Sequence, residues 1–154
     1  MSDQNSGVSP FEAIKRTTQD SGEYWEAREL AEVLGYTQWR NFVPVIEKAE
    51  LACTGSNQSV SDHFAEVRKM VPLGSGSQRG IQDFHLSRYA CYLVVQNADP
   101  SKPIVALGQT YFAVRTREAE LAEEALLQGM TADQQRLYIR SQLASHNKQL
   151  ADAA

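Results

Sequence analysis

Cysteine is nearly absent: Cys53 and Cys91 are the only two in 154 residues, and both fall in predicted helices among apolar neighbours. Such thiols read as buried and free in a reducing cytosol, so no disulfide is expected. Histidine is almost as scarce. His63, His85 and His146 lie in separate segments with no cysteine or carboxylate at ligand spacing, which excludes the usual metal-binding patterns. No apolar run approaches the ~20 residues needed to span a bilayer. The N-terminus, MSDQNSGVSP, carries neither the basic nor the apolar region of a secretion signal. An excess of positive charge is missing too, since the net charge of −4 does not suit a nonspecific coat for nucleic acid. No serine sits in a G-x-S-x-G elbow, neither cysteine has a recognisable base partner, and Asp99 precedes proline in an evident turn. No catalytic, cofactor or metal residues are therefore expected, and no enzyme.

What is present suits one domain with a real core. Hydrophobic residues at 42% and charged residues at 22% lie near globular averages, which excludes a disordered or fibrous chain. The charge is uneven. Residues 1–60 hold 9 acids against 5 bases, residues 61–120 hold 6 against 7, and the remainder 4 against 3. Any polyanion site must be local, and the middle third is where bases exceed acids.

Residues 1–9 are expected to be a flexible tail. Ser9-Pro10 with Glu12 forms a capping-box start for a short helix to about Thr17, with Phe11 and Ile14 on its inner face. Glu23 to Glu26 is short, aromatic and alternating, which suits an edge strand. Ala27 to Leu34 is a strong helix former stopped by Gly35, and Thr37 is placed to cap a second helix starting at Gln38 to Arg40. This is the outline of a helix-turn-helix, with Arg40 and Asn41 where such motifs place base-reading residues. An ordinary αα-hairpin has the same outline. Pro44 implies a kink or a late helix start. From His63 to Val71 a weak alternation predicts a strand burying Phe64, Val67 and Met70. A Gly/Ser-rich tip and a second strand at Ile81 to Phe84 complete a hairpin. Arg68, Lys69 and Arg79 cluster on it, either as a basic finger for phosphates or as solvated charges that keep an edge from aggregating.

The stretch from Asp83 to Arg117 is the densest apolar part of the chain. It predicts a buried helix capped by Ser87, a proline turn, and a long helix from Pro103. Ile104, Leu107, Tyr111, Val114, Leu121 and Ala125 recur along that helix at 3–4 spacing, a stripe that serves either as core or as a dimer seam over residues 103–128. Arg115 and Arg117 stand near Glu118 and Glu120 as paired surface charges. A last helix begins at the capping box Thr131 to Gln134, and Leu137, Ile139, Leu143 and Leu150 are expected to face the central pair. The fold class is α+β: mostly helical, with a small antiparallel, winged-helix-like sheet packed on a long helical hairpin.

The phrases LSRYACYLVVQN (86–97), Asp99-Pro100, Lys102-Pro103 and QTYFAV (109–114) closely resemble the bacterial DNA-damage-inducible protein D family. AREL (27–30), LGY (34–36), DHF (62–64) and HNKQL (146–150) agree with it. The N-terminal part also resembles the Bro-N domain of phage antirepressors and large-virus BRO proteins. The resemblance implies a Bro-N-like α+β domain over 10–128 with the 129–154 helix packed on it. Members usually continue further, so a truncated or short form is expected. It also implies a non-enzymatic protein of the SOS response, located in the cytoplasm or at the nucleoid. Its partners would be single- or double-stranded DNA, or the recombinase filament, met through Arg40, Asn41, Arg68, Lys69, Arg79 and Arg88. The alternative is an antirepressor-like module that engages a repressor with no DNA contact.

Overall fold

In the computed structural model, which describes residues 9–152, seven helices accompany one four-stranded antiparallel sheet. The expected tail up to residue 8 lies outside the described residues, as do the side chains of His146 and Leu150. Helix α1 (Pro10–Ala13) starts as its sequence dictates, with the Ser9 hydroxyl accepting from Glu12 N at 3.1 Å. It ends sooner than expected, because Arg16–Thr17 forms a two-residue strand, β1, on β2 (Glu23–Glu26). β2 is consequently not an edge strand. It pairs with β1 on one side and with the base of β4 on the other, in the order β1-β2-β4-β3.

Helix α2 (Ala27–Val33) follows β2 directly and closes in a Schellman motif. Tyr36 N bonds Ala31 O at 2.8 Å, Gly35 N bonds Glu32 O at 3.1 Å, and Gly35 takes φ +87°, a conformation that favours glycine. The turn is then tied to the far end of the core. Asp99 N donates to the Tyr36 hydroxyl at 2.9 Å, and Lys102 Nζ donates to Gly35 O at 3.1 Å. Helix α3 (Trp39–Gly55) starts one residue later than a Thr37 cap requires, with Gln38 at the cap position and no side-chain cap bond. It runs through Pro44 without interruption. The proline forfeits the bond to Arg40 O near the exposed start of the helix, so the loss stays local.

A one-turn helix, α4 (Val60–His63), precedes the hairpin, so His63 is helical and β3 (Phe64–Pro72) starts at Phe64. β4 (Gln78–Leu86) pairs with β3 along its whole length, from Phe64 opposite Leu86 to Pro72 opposite Gln78. Only Trp25 and Glu26 of β2 pair with β4, opposite Leu86 and His85, so the outer hairpin stands clear of the sheet. The expected burial of Met70 fails for this reason: it lies on the free part and is exposed.

Helix α5 (Arg88–Asn97) is capped by Ser87, whose hydroxyl accepts from Ala90 N at 3.0 Å. It packs mainly on α3, and the core gathers around fully buried Trp25, Leu30, Phe42, Ile46, Leu86, Val94 and Val105. Cys53 and Cys91 are buried and free, and burial raises both thiols above their ordinary range. Helix α6 (Pro103–Gln128) buries only Val105. Helix α7 (Ala132–Asp152) opens with the expected box, Thr131 N to Gln134 Oε1 at 3.0 Å and Gln134 N to Thr131 Oγ1 at 3.2 Å. Its Leu137, Ile139 and Leu143 do not pack on the central pair as the sequence suggested; they are exposed, because α6 carries α7 away from the core.

One buried charge joins hairpin to helices. Asp83 of β4 is the one buried polar or charged side chain among the described residues. Its Oδ1 accepts from Arg28 N at 3.0 Å and from Phe84 N at 2.8 Å. Arg28 is the second residue of α2, so Asp83 caps that helix from a strand, while Glu26 at the cap position makes no capping bond. Replacing Asp83 with alanine strands both amides and should lower stability by about 1–3 kcal/mol, measured by urea denaturation.

Candidate nucleic-acid and partner interface

The start of α3 and the root of the hairpin form a single joint. The Trp39 indole N–H donates to Gln82 Oε1 at 3.1 Å, and Gln82 Nε2 donates to Glu66 Oε2 at 3.2 Å. Arg28 lies over the Trp39 ring, 4.3 Å from its centroid, and its Nε donates to Gln82 O at 2.6 Å. Phe42 and Phe84 complete the aromatic packing around Trp39. With Trp39 fixed, Arg40 and Asn41 are exposed in the first turn of α3. Arg68 stands opposite Gln82 in the β3–β4 register. The joint therefore sets where the helix start and the hairpin stand relative to each other.

The six residues singled out from sequence divide into two groups. Arg40, Asn41, Arg68 and Arg79 are exposed, and among the described residues the three arginines have no acidic partner. Arg68 and Arg79 point to opposite faces of the hairpin, because Arg68 shares a face with its cross-strand partner Gln82, which lies three residues from Arg79 along β4. Gly80 makes room for Arg68: a Cβ there would meet Arg68 Cδ at 3.3 Å, and Arg68 Nη1 reaches Gly80 O at 3.3 Å.

Lys69 and Arg88 are engaged elsewhere. Lys69 Nζ bonds Glu26 Oε1 at 2.8 Å, a contact that raises its pKa above the usual lysine value. Glu26 also meets Arg16 at 3.5 Å, and Arg16 forms a two-pronged pair with Glu29 at 3.0 and 2.9 Å. Arg88 sits away from the hairpin, at the start of α5. It bonds Glu23 at 2.9 and 3.1 Å and Glu12 at 2.9 Å. Its guanidinium also lies over Trp25, 5.0 Å from the ring centroid, and over Phe11 at 5.7 Å. The Trp25 indole closes the cluster by donating to Phe11 O at 2.9 Å. These two cations hold elements together.

Sequence reasoning missed Trp39, Gln82, Arg28 and Asp83. Their bonds join residues 43 to 55 apart in the chain, and no local spacing reports such partners. His63 and Ser87 also meet, Nδ1 to Oγ at 2.7 Å. Ser87 N donates to His63 O at 3.0 Å and the imidazole packs on Tyr89, 4.8 Å between ring centroids. The pair secures α4 to the start of α5, and burial holds the imidazole below its ordinary pKa. Among the described residues no group of three His, Cys, Asp or Glu side chains could hold a metal ion, and no helix is long and apolar enough to cross a membrane.

The Arg88 hydrogen bonds hold the carboxyls of Glu12 and Glu23 below their ordinary value of 4.5. The folded state therefore binds fewer protons than the unfolded one near that value. This stability is present above about pH 4.5 and is lost as pH falls through the depressed values. Arg88→Ala should lower the thermal midpoint at neutral pH and flatten its decline under acid, as read by calorimetry across a pH series.

The model of the BRO family N-terminal domain matches residues 13–113, a span containing all six candidate residues. DNA damage-inducible protein D of Escherichia coli (strain K12) is 49% identical over 145 residues, covering 94% of this chain and 53% of the relative. The chain thus spans about half that relative's length. No solved structure matches.

Proposed function

The chain belongs to the BRO N-terminal domain family, and from that premise we propose that it is a non-enzymatic regulator of the bacterial DNA-damage response that contacts DNA or the recombinase filament assembled on it. The observation that carries this reading is that Arg40, at the start of α3, and Arg68 and Arg79, on the hairpin joined to it, are exposed and free of acidic partners. A helix N-terminus beside a two-stranded wing is a phosphate-facing arrangement. The unpaired amides and the positive helix end favour an anion, and the arginines add charge-assisted bonds. α3 has no acidic residue in its first turn to oppose this. The name of the E. coli relative supports the damage-response setting.

A specific observation also favours the second reading, a protein-interaction module of the antirepressor kind that needs no DNA. Two of the five candidate cations, Lys69 and Arg88, are neutralised within the fold by Glu26, Glu12 and Glu23, and the chain carries a net charge of −4. The remaining positive surface is small.

Fluorescence anisotropy with labelled single- and double-stranded DNA at several salt concentrations separates the two. On the first reading, Arg40→Ala/Arg68→Ala/Arg79→Ala weakens binding by about 10- to 100-fold and reduces the slope of log affinity against log salt by about 2–3. Lys69→Ala leaves that slope unchanged. Absence of binding at low salt would sink the DNA reading and leave the protein partner.

A further inference from the structure

Helix α6 leaves the domain almost bare. Its apolar residues keep a strict heptad: Ile104, Leu107, Tyr111, Val114, then Glu118, then Leu121 and Ala125. Beyond the first turns that stripe has no cover. Leu107 is 67% exposed, Val114 51% and Leu121 48%, and on α7 Leu137 is 62% and Leu143 58% exposed. A helix whose outer half touches nothing is marginal in water, since most helical stability comes from packing an apolar face.

We infer that the cover is a second copy of this chain, joined through an antiparallel α6–α6 seam. The charge order along the helix selects this occupant. Arg115 and Arg117 precede Glu118, Glu120, Glu123 and Glu124, so the helix is basic and then acidic, and its own reverse is its complement. In the register that sets Val114 against Ala125 and Glu118 against Leu121 of the second copy, Arg117, which bonds Glu120 of its own helix at 3.1 Å, stands beside Glu124 at flanking positions. Glu118 can turn out of the seam, because Arg115 Nη1 already holds its carboxylate at 3.1 Å. The same register brings Gln128 of the second copy opposite Tyr111. Its α7 then begins next to the apolar groove of about 270 Å³ lined by Phe11, Leu30, Val33, Tyr92, Leu107 and Tyr111. The groove, the stripe and the uncovered α7 leucines are thus accounted for by one two-fold contact, each patch meeting its own copy. This inference does not depend on whether DNA is bound.

Sedimentation equilibrium of the whole chain tests it. The expected species is a dimer through the micromolar range. Val114→Glu/Leu121→Glu should raise the dissociation constant at least about 100-fold, with helicity falling as the outer half of α6 loses its cover and the near-ultraviolet signal of buried Trp25 retained, because both substituted side chains lie outside the core. Arg117→Glu and Glu124→Arg should each weaken association roughly tenfold, and the two together should restore it, as only an antiparallel pairing of these positions requires. A wild-type mass of one chain at all concentrations overturns the inference. So does a dimer indifferent to Val114→Glu/Leu121→Glu, or a double reversal that fails to recover association.

Discussion

The fold turns on a carboxyl group buried inside the protein. Asp83 is 1% exposed, and a buried charge is tolerated only when hydrogen-bonded or facing an opposite field. At the start of α2 its Oδ1 takes the amide proton of Arg28, at the positive end of the helix, and that of Phe84 in its own strand, while Oδ2 has no protein partner. The cap crosses from β4 to α2, so it fixes where the hairpin meets the helix pair. Trp39, Gln82 and Arg28 then build outward from that contact. Were α2 capped by its own Glu26, the hairpin would have no such tie, and Glu26 would not be free to meet Lys69 and Arg16.

What could be read from the sequence was whatever is local. Ser9, Gly35, Ser87 and the Thr131–Gln134 box act on residues three to five positions away, and each does what its spacing says. The fold class and the family were legible on the same ground, through caps, turns and phrases in order. The site was only half legible. Lys69 and Arg88 are indistinguishable from Arg68 and Arg79 as letters in a chain, because the acids that neutralise them lie 43 and 65 residues away. β1 was invisible because two residues carry no period, and its existence turned a supposed edge strand into an inner one. The α6 heptad announced an apolar stripe but not what covers it, since periodicity describes one helix and burial describes two surfaces.

The molecule thus divides its cations by use. Arg16, Lys69 and Arg88 weld elements against glutamates, and Arg88 adds the faces of two aromatic rings. Arg40, Arg68 and Arg79 stay outside that arrangement, held by joints that do not consume their charge. An acidic protein keeps exposed positive charge in this way only where a few arginines lie away from its own acids.

The outer hairpin also has a mechanical character. β2 grips β4 at two positions only, and Gln82 and Asp83 are tied to α3 and α2, so the four residues from Gln78 to Ile81 extend roughly 14 Å as a cantilever at about 3.4 Å per residue. A beam clamped at one end bends most at its free end, where Arg79 sits near the Gly74–Ser77 tip, and least at its root, where Arg68 stands opposite Gln82. The two arginines therefore differ in compliance: Arg79 moves with the tip, while Arg68 stays with the joint that Trp39 and Gln82 make.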